Sequence, residues 1–223
     1  MVVLAVAATS TVAGAQVGYP PAQSPFRDLV YRQELTAIGG YYAAGKDPVG
    51  VAPQSGPIIG ARYEVRIGGP AQFAVRAARV FSERNVLDPT KPEAERIVGT
   101  ESWPLYLADL GITFNLTGQK SFRGIVPVAT VGGGIASDFK GGRDVGGYRF
   151  GTAFALSYGA GVRWVTGGRY QLRLDVLDYL YQVRYPNSYF TANGTLPPVR
   201  SGSQSAWTHN AAITLGGSYQ FFR

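Results

Sequence analysis

The chain has no cysteine, one histidine and one methionine among its 223 residues. Without cysteine there is neither a disulfide framework nor a thiolate metal site. With His209 as the single histidine, any catalytic triad or histidine-ligated metal would have to be built around that one ring. No helix-length apolar run exists: the one sustained apolar stretch, Met1 to Gln16, is shorter than the roughly 20 residues a membrane-crossing helix needs. The formal charge is +7, yet Lys and Arg are scattered singly with no cluster of five or six, so nucleic acid is not an expected partner. The glycine pairs and triplets (Gly132-Gly133-Gly134, Gly141-Gly142, Gly146-Gly147) lack the Lys-Ser/Thr of a phosphate loop, and Asp88, Asp138 and Asp144 are too sparse for a calcium loop. The expectation is therefore no cofactor, no metal site and no catalytic residue.

What is abundant is glycine and tyrosine, 30 and 14 residues, which with no long apolar run points to many short strands and tight turns. Residues 1–15 read as a signal peptide ending at Ala13-Gly14-Ala15, with cleavage before Gln16. No Lys or Arg precedes its apolar core, so further residues are expected before Met1. Residues 16–33, with Pro20-Pro21, Pro25 and Phe26, are not strand-like and are expected to form a periplasmic extension.

From 34 to 223 the dominant signal is a period of two. Phe150, Thr152, Phe154, Leu156, Tyr158, Ala160, Val162 and Trp164 alternate with Gly151, Ala153, Ala155, Ser157, Gly159, Gly161 and Arg163. The same pattern runs through Ile59 to Ile67, Phe73 to Ala77, Tyr106 to Asn115, Tyr170 to Val176 and Trp207 to Phe221. Two weaker strands, near Glu34 to Ala44 and Gly124 to Ser137, complete an even count of eight. Connections alternate in length: Gly68-Gly69-Pro70, Thr117 to Phe122 and Thr166 to Arg169 are short, whereas 45–57, 82–101, 138–149 and 186–205 are long and polar. That alternation fits the short periplasmic turns and long extracellular loops of a membrane barrel with both termini on the periplasmic side. The fold class expected is all-β, an eight-stranded antiparallel up-and-down transmembrane β-barrel. A soluble barrel or sandwich is the competing reading, because periodicity alone does not say which face points inward.

The alternating strands, the stretch Leu172-Arg173-Leu174-Asp175-Val176 and the ending Leu215 to Phe222 resemble the small eight-stranded bacterial outer-membrane barrels typified by the transmembrane domain of outer membrane protein A. The resemblance implies an outer-membrane location and contact with outer-membrane lipid and lipopolysaccharide. It implies no single activity. Within the ending, Gly216, Tyr219 and Phe221 resemble the C-terminal signal read by the barrel-assembly machinery during insertion.

An eight-stranded barrel is just wide enough for side chains to fill. Arg62, Glu64, Arg66, Arg76, Asp109, Arg163, Arg173 and Asp175 are expected to point inward as a charge network. Five arginines against three carboxylates would leave excess positive charge, which admits either a structural plug or a narrow anion pore. His209 falls on the lipid-side register, as in barrel enzymes that deacylate lipid A, but Ala211 stands where a nucleophile would sit. Tyr185, Tyr189, Phe190, Pro197 and Pro198 are expected to be exposed as a contact surface. The leading reading is a non-enzymatic outer-membrane protein with a structural, adhesive or assembly role carried by its extracellular loops. A protein partner would meet those loops or the N-terminal extension. The alternative is a small-solute or anion pore, with a lipid-modifying enzyme third.

Overall fold

A computed structural model describes residues 24–222; the expected signal peptide and residues 16–23 lie outside the described residues. Eight antiparallel strands close on themselves: β2 (Gln33–Ala43), β3 (Gly56–Gly68), β4 (Ala71–Val80), β7 (Leu105–Asn115), β9 (Ile125–Ser137), β10 (Thr152–Val165), β11 (Tyr170–Arg184) and β12 (Ser205–Phe221). Closure comes from β12, which pairs with β11 on one side and with β2 on the other, Phe221 opposite Gln33. The first and last barrel strands thus meet at the end of the short turns, the periplasmic end. A membrane-spanning strand needs about 9–11 residues. At 15 and 17 residues β11 and β12 exceed that, and the surplus stands out on the extracellular side.

The alternation resolves as greasy outside and polar or small inside. Along β11, Leu172, Leu174 and Val176 are exposed while Gln171, Arg173 and Asp175 are buried. The same holds for Leu156, Tyr158 and Val162 against Ser157 and Arg163 on β10, with Gly159 on the inward register. A soluble barrel would present the opposite faces, since exposing Leu215 (67%) while burying Arg173 (2%) makes sense only when the surroundings are lipid. Aromatic rings gather at both rims: Trp164, Tyr170 and Tyr219 at the periplasmic end, Tyr41 and Trp207 at the other.

One sequence expectation changes here. Part of the N-terminal extension is a strand: β1 (Phe26–Asp28) pairs with β8 (Lys120–Phe122) in the turn after β7. Behind it Leu29 packs with Val126 and Val128, so the segment folds across the periplasmic mouth. Periodicity missed this because three residues hold too little alternation to register. The long connections carry structure of their own. Residues 82–102 carry a hairpin of β5 (Glu83–Leu87) and β6 (Ile97–Ser102), forming a separate two-stranded sheet above the barrel.

Candidate functional site

The lumen is divided by height. Toward the periplasm it is charged. Glu64 accepts from two arginines, Arg62 Nη2 at 2.6 Å and Arg173 Nη1 at 2.5 Å, and Arg173 Nε also donates to Asp175 at 2.5 Å. Arg62 further binds the Thr113 hydroxyl. The register that pairs Asp175 with Gly161 makes room for this knot, since a side chain at Gly161 would collide with the carboxylate. A second knot holds Arg163, whose Nη2 donates to Glu34 at 2.5 Å and whose Nη1 reaches Gln72 and Asn115 at 3.2 and 3.1 Å. In a third, Arg76 Nη1 donates to the Tyr179 hydroxyl at 2.9 Å and lies 3.4 Å from Asp109.

Among the described residues the buried lumen therefore holds four arginines (Arg62, Arg76, Arg163, Arg173) and four carboxylates (Glu34, Glu64, Asp109, Asp175). The expected positive excess is not there, for two reasons. Glu34, at the very start of the weakest strand, was not counted as an inward residue and supplies the partner of Arg163. Arg66 leaves the network: near the periplasmic end of β3, beside a bulge, it is half-buried and donates to the Leu29 carbonyl at 2.6 Å. Each buried guanidinium that remains has a carboxylate at hand, as the cost of desolvating charge demands.

Above this layer the lumen turns apolar and aromatic. Ile38, Tyr42, Ile58, Val80, Leu105, Leu107, Leu177, Tyr179, Tyr181 and Val183 form one buried cluster. The Tyr42 and Tyr181 hydroxyls meet at 2.7 Å. The cluster runs on into the loops through Val51, Tyr148, Tyr185 and Tyr189, so barrel and cap share a core. Here Tyr185 and Tyr189 depart from expectation. They are 5% and 0% exposed, because the loop of 186–205 folds back over the barrel mouth instead of offering its rings to solvent.

Buried polar contacts pin the cap. The Arg84 guanidinium lies over the Trp103 ring, 4.0 Å from its centroid, and donates to Asp144 at 2.8 Å. Asp47 accepts the backbone N–H groups of Val49, Val51 and Ala52 at 3.1, 2.6 and 2.8 Å and also the Tyr185 hydroxyl. Burial, reinforced by the nearby Asp47 charge, pushes the Tyr148 phenol well above its usual range.

On the outer wall, His209 has a partner that sequence reasoning overlooked. Its Nδ1 lies 2.6 Å from Asp178, which also accepts the Tyr158 hydroxyl at 2.5 Å and the Asn210 backbone N–H at 2.8 Å. Asp178 sits on the lipid register of β11, directly opposite Tyr158 and beyond the stretch Tyr170 to Val176 in which the sequence alternation was read. The Tyr158 hydroxyl approaches the same Nδ1 that Asp178 holds, at 3.3 Å, so it does not occupy the position of a nucleophile on the free ring nitrogen. At the C-terminus Gly216 is inward and tight against Thr36, while Tyr219 stacks with Phe221 at 6.3 Å on the lipid side.

A closed antiparallel barrel with an apolar exterior, aromatic rims and a polar lumen defines an integral β-barrel of the bacterial outer membrane. No protein-family model and no curated protein matches the chain. Solved structures do. The outer membrane protein OprG from Pseudomonas aeruginosa shares 11% identity over 86% of this chain and 98% of that one, at a TM-score of 0.52. Neisserial surface protein A shares 15% over 85% and 97%, at 0.49. At such identities the likeness is one of fold, that of the small eight-stranded outer-membrane barrels.

Proposed function

We propose that this barrel is a non-conducting, non-enzymatic membrane stand whose structural or adhesive work is done by its extracellular cap. The observation that carries the reading is the filled lumen. Arg62, Arg163 and Arg173 are 1–2% exposed and the buried tyrosine layer lies above them, which supports a barrel that does not conduct. A solute pore would need those guanidinium groups wet. Reconstituted in planar bilayers, the protein should show no conductance steps above baseline; reproducible anion-selective steps would overturn the proposal. A lipid-modifying activity at Asp178 and His209 is not favoured, because among the described residues no hydroxyl is hydrogen-bonded to the ring nitrogen that Asp178 leaves free.

Tyr219 and Phe221 support a second part of the reading, that the chain end is the handle for the barrel-assembly machinery. Their rings add interfacial burial that refolding in detergent can partly do without. A Tyr219→Ala, Phe221→Ala variant should therefore lose outer-membrane level in cells more than it loses refolding yield. Normal levels on fractionation would dismiss the idea.

A further inference from the structure

Closure leaves the eight barrel strands without an edge, but the hairpin above them has one. A strand at the end of a sheet presents a row of unpaired N–H and C=O groups, and proteins ordinarily blunt such an edge with a covering loop, proline or charge. On β5 the edge is covered: the Gln54 N–H donates to the Glu83 carbonyl at 2.8 Å, and Asn85 Nδ2 donates to the Gly50 carbonyl at 3.0 Å. On β6 it is bare. Among the described residues β6 pairs with β5 alone, and every residue of the strand is exposed.

Which groups point outward follows from the pairing. The Trp103 N–H donates to the Ser82 carbonyl at 2.8 Å, and from there opposite residues alternate between bonded and unbonded pairs. Glu83 with Ser102 and Asn85 with Thr100 are the unbonded ones, so the N–H and C=O of Thr100 and Ser102 turn away from β5. The Ser102 carbonyl meets the Lys140 ammonium at 3.4 Å, whereas the Thr100 backbone groups have no partner among the described residues. Beside Thr100, Gly99 has no positive φ, and a side chain there would meet no atom within 4 Å. A strand glycine that neither a turn nor packing requires suits the close approach of another backbone.

Charge selects the occupant. Among the described residues the exposed carboxylates are Asp28 at the periplasmic end and Glu83, Glu93, Glu95 and Glu101, all four in this hairpin. Against them the hairpin exposes one base, Lys91; Arg84 is buried on Asp144, and Arg96 is buried with its guanidinium on the Pro197 carbonyl. In a chain of net charge +7, the bare edge on the extracellular side is thus ringed by acid. We propose that the outer edge of β6 docks an extended, basic segment of an extracellular protein by strand addition. Backbone groups supply the pairing, and lysine or arginine side chains of the segment meet Glu101 and the glutamates around it. The proposal rests on the reading of the cap as the working surface and names what that surface takes.

The test titrates the refolded full chain, in neutral phosphatidylcholine nanodiscs, against a short fluorescent peptide alternating lysine with threonine, read by anisotropy. One companion peptide carries glutamate in place of lysine; a second keeps the lysines but has its backbone nitrogens methylated, which removes the donors. The parent chain should bind the basic peptide about tenfold or more tightly than either companion. Thr100→Pro removes an outward N–H and leaves the β5 pairing intact, so it should weaken binding by about tenfold with thermal unfolding unchanged. Should that variant unfold early, the methylated peptide decides alone, because it is read on the unaltered chain. Equal binding of the methylated peptide would reduce the contact to charge and overturn strand addition. Equal binding of the glutamate peptide would overturn the basic partner. Association of two barrels through β6, lost in Thr100→Pro and with no peptide bound, would assign the edge to a second copy and overturn the proposal. None of these readouts depends on conductance, so a failure here is distinct from a failure of the closed-barrel reading.

Discussion

The two halves of the lumen fill the same narrow space by opposite chemistry. Near the periplasm the filling is ion pairs among Glu34, Arg62, Glu64, Arg163, Arg173 and Asp175; toward the outside it is Tyr42, Leu105, Leu107, Leu177 and Tyr181. The lower layer is directional: a carboxylate placed one residue off register would point into lipid, so each pair fixes how its strands align. The upper layer is not directional in that way, and it merges with the loops to build one core with the cap. Charge sets the register of the barrel, and apolar packing fastens the cap to it.

The largest effect should come from the lower layer. Glu64→Ala removes the shared partner of Arg62 and Arg173 and strands buried charge, which should cost about 3–5 kcal/mol of unfolding free energy in urea titrations in lipid vesicles. A loss below about 0.5 kcal/mol would mean that the layer is hydrated and that the contrast between the halves is false.

Next comes the wall that both layers share. Arg173 is at home inside, whereas an arginine one position on would face hydrocarbon, so Leu174→Arg should cost about 2–4 kcal/mol in the same titration. Unchanged stability would displace the assigned register of β11 by one.

The upper layer should give the smallest response. Tyr181→Phe leaves the Tyr42 hydroxyl without its partner among apolar neighbours, a loss of about 1–3 kcal/mol. That loss should persist when salt is raised, because no ion pair is involved. A strongly salt-dependent loss would instead join the upper layer to the charged one.

Six of the eight strands and the end that carries the long loops were legible in the sequence, because a period of two is local; the two weaker strands rested on the even count, and the period alone did not say which face turns inward. That Leu156 and Ser157 face opposite ways follows from adjacency in the chain; that Leu156 is the outer one is read from the structure. Height within the lumen was not legible: Arg76 meets Tyr179, and Arg163 meets Glu34, across 103 and 129 residues, and only the register of a closed barrel brings them level. The Asp178 partner of His209 was hidden for the same reason, since the two sit on different strands, 31 residues apart, with no common sequence signal. Burial of Tyr185 and Tyr189 was likewise decided only when the loop of 186–205 found the barrel mouth. Alternation along one strand determines which side chains share a face; which solvent and which neighbours that face meets is decided by closure of the barrel, where residues distant in the chain share one layer.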